Sequence, residues 1–469
     1  MHGWLPLTVQ IVAGLVLLLA VGWRTRRWRL LWLPLAALVG IGAAWYAQWS
    51  ISNDGLAGDP APHQLWVWIA VTTLAAVVAV VGWRSARWWR RGVSVLAIPL
   101  CALATALMLN LWVGYFPTVQ TAWNQMTAGP LPDQTDRATV TQMVVQHAVP
   151  AQGTVVPVTI PSDSSHFAHR QELVYLPPAY YATNPPPKLP TVMMIGGEFN
   201  TPADWLRAGN AIKTIDDFAA AHHGNAPVFV FVDSGGSFNN DTECVNGPRG
   251  NSADHLTKDV VPFMVSNFGV STDRTNWGVV GWSMGGTCAV DLTTMHPDMF
   301  STFEDIAGDY APNSGTKTQT ITRLFGGNAA AYADFDPATI MTRHGLYQGL
   351  SGWFAISGNP SAQRTPPTVL DAGASGLGGR DAAPSPGDPT AAANALCGVG
   401  SANGIDCAVV AEPGKHDWPF AARAFASALP WLAGQVHTPG VASVALPGPP
   451  VRPPGPVTIA AAGGPPGVR

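Results

Sequence analysis

Charged side chains are scarce in this sequence. Asp, Glu, Lys and Arg make up 12% of its 469 residues, against about 25% in ordinary soluble domains. That shortage excludes a solvated coiled coil, a charged disordered chain and a polybasic nucleic-acid binder. It also implies that part of the chain does not face water. The first 113 residues lack lysine altogether and hold two acids, Asp54 and Asp59, beside eight arginines. The remainder carries 17 bases against 27 acids, a net charge of −10. Metal-site cysteine spacing is missing too: there is no CxxC and no His/Cys cluster with ligand spacing, so no metal or cofactor is expected.

The nearly acid-free quarter contains four apolar stretches, Trp4–Trp23, Leu30–Trp49, Leu65–Trp83 and Val93–Val113. Each is long enough to cross about 30 Å of hydrocarbon as a helix. None contains Asp, Glu, Lys, Arg or His, so no residue offers a proton or ion path, and an anchor is expected rather than a transporter. The first stretch is too long for a signal peptide, and its arginines follow the core instead of preceding it. Arg24, Arg26, Arg27 and Arg29 fill the first connection, and Arg84, Arg87, Arg90 and Arg91 the third. Under the positive-inside rule both connections are cytoplasmic, which places the N-terminus, the loop at 50–64 and everything after Phe116 outside. Gly22-Trp23-Arg24-Thr25 recurs as Gly82-Trp83-Arg84-Ser85, suggesting a duplicated helical hairpin. These features divide the chain into a four-helix transmembrane anchor (1–114), a juxtamembrane connector (115–150), a catalytic domain (151–437) and a Pro/Gly-rich tail (438–469) that is expected to be disordered.

Within 151–437, short apolar runs alternate with helical patterns, as in a mainly parallel sheet with helices on both faces. Between Phe303–Ala307 and Gly352–Ser357 the reading is irregular. Gly281-Trp282-Ser283-Met284-Gly285 follows an apolar run and opens a small-residue helix, the setting of a nucleophile elbow. A triad in this fold runs Ser, acid, His along the chain. His416, after the last expected strand, is the candidate base, with His344 and His437 as competitors. The acid belongs after Gly352–Ser357; Asp388, Asp381 and Asp371 are the candidates. The oxyanion donors are the backbone N–H of Met284 and one from Gly196-Gly197-Glu198-Phe199, at Glu198 or Phe199. Four cysteines, Cys244, Cys288, Cys397 and Cys407, fall in the exterior domain, where disulfides are permitted, and three pairings are open.

With these motifs the sequence resembles the esterase-D-like α/β-hydrolases, in particular the actinobacterial branch that includes the antigen 85 mycolyltransferases. The resemblance covers about 190–435. It rests on Gly281-Trp282-Ser283-Met284-Gly285-Gly286 followed by His296-Pro297-Asp298-Met299-Phe300, on the Gly196-Gly197 turn, and on His416-Asp417-Trp418 before a terminal helix. It implies an α/β-hydrolase fold with Ser283 as nucleophile, His416 as base and Glu198 as the second oxyanion donor. The chain departs from that branch in three ways. It has membrane helices where a cleaved signal would stand, and no glutamate between Glu304 and Glu412 to serve as the acid. Of the cysteine pair before the elbow it has only Cys244. Mycolyl transfer to trehalose is therefore not implied. The expected activity is serine ester hydrolysis or acyl transfer on a membrane-lipid or cell-envelope ester, such as an aminoacyl-phospholipid or an acylated glycolipid. A catalytically silent hydrolase domain that binds an envelope partner is the alternative.

Overall fold

A computed structural model describes residues 3–54, 61–116, 118–127, 131, 133–368 and 389–449. Four helices form the N-terminal unit: α1 Trp4–Val21, α2 Leu33–Asp54, α3 His63–Gly82 and α4 Trp88–Val113. All four are long and apolar enough to cross a membrane. Leu7, Ile11, Leu15 and Leu18 lie exposed along α1, an apolar surface of the kind that membrane-spanning helices present. Small residues make the interior, with Ala13, Ala20, Ala75, Ala97 and Cys101 buried, so the helices approach closely. α1 packs on α4 and α2 on α3, while α1 and α2 make little contact. Only the second half of the sequence repeat is a packed hairpin. The two repeats instead meet at their Arg-rich ends, where Arg24 Nη1 donates to the Gly82 carbonyl at 3.0 Å. Arg24 also stacks on Trp28, and Arg91 on Trp83, as suits cations held in an aromatic interface.

After the connector helices Val119–Thr127 and Arg137–Gln146, the catalytic domain is built on one nine-stranded sheet. Its strands are β1 Thr154–Val158, β2 Glu172–Leu176, β3 Thr191–Ile195, β4 Val228–Val232, β5 Trp277–Trp282, β6 Thr302–Ile306, β7 Ser351–Ser357, β8 Ser361–Gln363 and β9 Asp406–Glu412. The spatial order is β1-β2-β4-β3-β5-β6-β7-β9-β8. β4, β3, β5, β6, β7 and β9 are parallel, and the antiparallel strands lie at the two edges. Residue alternation explains the layering. Met193, Val230, Val279 and Phe303 face one core, while Val192, Phe229, Phe231 and Val280 face the other. Helix α5 (Met284–Met295) covers the first face. The second is covered by α6 (Trp418–Gln435), through Phe425, Leu429 and Leu432.

Two sequence expectations change. The stretch read as irregular holds the helices Lys317–Phe325, Ala329–Ala333 and Pro337–His344. Each is short and the first is Thr-rich, so the sequence offers little helical periodicity to read, but caps at Thr316 and Asn328 supply the missing hydrogen bonds. The tail reading also starts too early. Thr438 and Leu446 are buried, with Leu446 in the core under α6, because a leucine within a Pro/Gly/Ala/Val run still loses apolar surface to water by packing on the domain. Residues 450–469 lie outside the described residues. The disulfides are Cys244–Cys288 and Cys397–Cys407; the second joins helix α7 (Pro389–Ala402) to β9.

Leu446→Ala is expected to lower stability by about 2 kcal/mol, the loss typical of emptying a buried leucine site. A thermal or urea melt that matches the wild type would refute the packing of this segment.

Candidate active site

At the end of β5 the backbone turns through Ser283 with φ 57° and ψ −121°, a conformation that a non-glycine residue holds only when its surroundings enforce it. The enforcement is packing. A Cβ on Gly281 would stand 1.6 Å from the Gly285 carbonyl oxygen, and one on Gly285 would stand 2.4 Å from the Ile195 oxygen. Both glycines are therefore required for strand, turn and helix to cross. The Ser283 amide donates to the Ile306 carbonyl at 2.8 Å, tying the turn to the next strand. As α5 begins at Met284, that amide belongs to the first turn, whose N–H groups have no carbonyl four residues back.

His416 lies in the loop between β9 and α6, and its Nε2 is 2.9 Å from Ser283 Oγ. The imidazole rests on the Trp282 indole with ring centroids 4.3 Å apart. Asp417 next to it does not serve the histidine; its carboxylate caps α6 by accepting from the Phe420 amide at 3.1 Å. The competing histidines lie elsewhere. His344 stacks on Tyr347, and His437 follows the C-terminal end of α6. The three acid candidates, Asp371, Asp381 and Asp388, all lie outside the described residues.

The Gly196–Phe199 turn sits directly over the serine. A Cβ built on Gly197 would come 3.1 Å from Ser283 Cβ. Three hydrogen bonds fix this turn. The Gly197 amide donates to Asn200 Oδ1 at 2.9 Å, and the Asn200 amide donates to the Gly197 carbonyl at 3.1 Å. Arg170 Nη2 donates to the Asn200 carbonyl at 2.7 Å, while Arg170 also grips both carboxylate oxygens of buried Asp233. Sequence reading missed Arg170 and Asn200. No spacing connects Arg170 to a turn 30 residues on, and only the pairing of β2 with β4 brings Arg170 to Asp233.

Beside this bracket His169, Glu172 and His255 converge, with ligand-type atoms all within 4.8 Å. His255 Nε2 is 3.1 Å from Glu172 Oε1 and its Nδ1 is 3.3 Å from Asp259 Oδ2. His169 has Nε2 against the Ile160 carbonyl and Nδ1 against the Arg170 carbonyl. The two rings stack at 4.3 Å with planes 22° apart. Ring nitrogens coordinate in the plane of the imidazole, so stacked rings do not point their lone pairs at one ion. The group works as a buried ionic brace. Burial pulls the His255 proton affinity down, but the hydrogen bonds and charges of Glu172 and Asp259 outweigh it and leave the group raised. The Ser165, Ser164 and His255 contacts outweigh burial in turn and hold Asp259 low.

Residues 168–332 match the Esterase family, a span that contains Ser283 and the Gly196–Gly197 turn. The domain has an α/β-hydrolase-like fold, and its matched part is similar to esterases. A protein of Corynebacterium glutamicum described as uncharacterized is 28% identical over 385 residues, covering 78% of this chain and 86% of its own. Among solved structures, an S-formylglutathione hydrolase from Agrobacterium tumefaciens aligns at 15% identity and a TM-score of 0.45, over 61% of this chain and 97% of its own. MPT51 from Mycobacterium tuberculosis aligns at 19% identity and a TM-score of 0.39, over 60% and 98%.

Two outcomes follow. Asn200→Ala removes the acceptor that orients the Gly197 amide, so kcat on an ester is expected to fall about tenfold to a hundredfold with a smaller change in KM; an unchanged kcat would separate the turn from catalysis. For the brace, a histidine raised in the folded state adds stability that is present below its unfolded value and lost as pH rises through the folded one. Lowered Asp259 adds stability that is lost on acidification. The melting-temperature gap between wild type and His255→Gln should therefore peak between about pH 5 and 6.5 and shrink above neutrality; a gap that widens with pH would be incompatible with a charged His255.

Proposed function

We propose that the protein is a membrane-anchored, extracytoplasmic serine ester hydrolase or acyltransferase that acts on a lipid or cell-envelope ester through an acyl-enzyme on Ser283. The observation that carries the reading is the 2.9 Å contact between His416 Nε2 and Ser283 Oγ at a strained elbow. In this reading the histidine accepts the serine proton as Oγ attacks the ester carbonyl. The amides of Met284 and Glu198 stabilise the oxyanion, and protonated His416 releases the alcohol. Water or an acceptor hydroxyl then takes the acyl group, with His416 again as base. One of Asp388, Asp381 and Asp371 completes the triad by orienting the imidazole.

A lipid or envelope substrate is supported by how the anchor meets the site. Helix α4 ends in left-handed Gly114, where a Cβ would stand 2.8 Å from Asp417 Cβ and 3.0 Å from the His416 carbonyl oxygen. Tyr115 hydrogen-bonds Asp204, and Arg323 Nη2 donates to the Ser52 carbonyl at 2.9 Å at the end of α2. The exit of the last apolar helix is thus seated on the histidine loop. With both Arg-rich connections cytoplasmic, the domain lies outside, and its catalytic loop stands at the level of the outer leaflet.

A fluorophosphonate probe should label the detergent-solubilised protein at Ser283, with labelling lost in Ser283→Ala and strongly reduced in His416→Ala. A folded wild-type protein that does not label would favour the silent binding domain. Among Asp388→Asn, Asp381→Asn and Asp371→Asn, one should lower ester turnover by about 10³ to 10⁴. A C-terminal reporter that reads cytoplasmic would overturn the orientation.

A further inference from the structure

Four neighbouring parallel strands, β4, β3, β5 and β6, deliver their C-terminal loops to one end of the sheet. That end is where open α/β sheets bind ligands. β5 delivers Ser283; the other three each deliver carboxylates. Glu198 follows the turn over the serine, Asp241 and Glu243 follow β4, and Asp309 follows β6. The carboxylate-bearing loops are tied to the elbow helix. Cys244 is disulfide-bonded to Cys288, five residues after the nucleophile, and the Asp309 amide donates to Thr287 Oγ1 at 2.9 Å.

Glu243 is the centre of this group. It is 5% exposed, and its Oε2 has no hydrogen-bond partner among the described residues. Burial, then the charges of Asp241, Asp309 and Glu198, push its carboxyl well above the usual range. Asp241 is offset by Arg249, 3.6 Å away. Asp309 Oδ2 accepts from Asn313, and no Lys, Arg or His among the described residues forms an ion pair with Glu243. A buried carboxylate oxygen left unmatched beside like charges is costly unless something positive arrives to complete it. Among the described residues only the His169 group gathers three ligand-type atoms within 4.8 Å, and its stacked rings do not converge on one ion. The acids near the serine form no such tight group, and an ammonium, with three N–H donors, is a cation that separate carboxylates can share.

We infer that the active site binds an ester carrying an ammonium group close to its scissile carbonyl, with Glu243 as the principal counter-charge and Asp309 and Glu198 completing the acidic wall. The inference rests on the serine-esterase reading and narrows its substrate class. An aminoacyl ester places the ammonium on the acyl side, and a choline-type ester places it on the alcohol side. Each presents a cation to Glu243, the first an –NH3+ with three N–H donors and the second a trimethylammonium that meets the acidic wall by charge alone. An arriving ammonium stabilises the Glu243 carboxylate, so binding releases the proton that the empty pocket retains.

The test uses the full chain in detergent micelles and two isosteric pairs: an alanyl ester against the isobutyryl ester of the same alcohol, and acetylcholine against 3,3-dimethylbutyl acetate. The first pair exchanges ammonium for methyl, removing the charge and its N–H donors, and the second exchanges trimethylammonium for tert-butyl, removing the charge alone at nearly constant shape. A cationic preference in kcat/KM of about tenfold or more in either pair is expected, and the preferred pair assigns the cation to the acyl or the alcohol side. Glu243→Gln should cut that preference about tenfold, and Asp309→Asn should cut it less. Fluorophosphonate labelling of each protein separates the two ideas. Wild type that labels at Ser283 yet shows no preference in either pair would overturn the cation site and leave the esterase standing; wild type that does not label would overturn the esterase itself. A preference unchanged in both labelled variants would remove Glu243 and Asp309 from recognition.

Discussion

The architecture hangs on the crossing of β5, Ser283 and α5. A left-handed serine is unfavourable in isolation, and it survives because the chain is clamped on three sides. Gly285 presses against the end of β3, Gly281 admits the helix backbone, and the Ser283 amide is held by β6. Each clamp uses a different strand, so the serine is presented only when the central sheet is complete. Local strain at the nucleophile is thus supported by the cooperative burial of both cores. The same crossing fixes where everything else must come: the Gly197 turn reaches the serine because β3 is the neighbour of β5. His416 arrives on the loop after β9, three strands away.

Much of this was legible from residues alone. Continuous apolar runs at 190–195 and 228–232 read as strands covered on both faces and are so, because burial on both faces leaves no polar alternation to confuse the period. The meeting of Ser283 with His416 was legible because an elbow of this kind needs glycines at fixed offsets and a base would come from the loop after the last strand. Hidden were the contacts that depend on register. Arg170, Asp233 and Asn200 form a bracket across β2, β4 and the β3 exit, and His255 reaches Glu172 from 83 residues away. Short capped helices between β6 and β7 were hidden for another reason, since their stability comes from end-capping and tertiary contact rather than from composition.

The four N-terminal helices, long and apolar enough to cross a membrane, contribute geometry to the site. Under the proposed anchoring their exposed leucines meet lipid and their Arg–Trp ends set the depth at one interface. Gly114 transmits that depth to the catalytic loop, since no side chain fits between α4 and Asp417. A flexible tether would let the domain rotate above the surface. Here the histidine loop, the Tyr115–Asp204 contact and the Arg323–Ser52 contact restrain it at separate points.

Charge sharpens the point. The chain after residue 113 carries a net −10, and bilayer surfaces rich in anionic lipid repel such a body within a Debye length of about 8 Å at physiological salt. Under the proposed anchoring, electrostatic attraction therefore does not hold the domain at the membrane; covalent continuity and packing do. The same field acts on ligands with the opposite sign. Esters carrying a positive group are drawn toward an acidic body, whereas purely anionic lipids gain nothing from it. In the proposed cation site, the acidity that opposes independent membrane binding would enrich cationic esters near the serine, and burial at Glu243 would convert that long-range bias into a short-range contact.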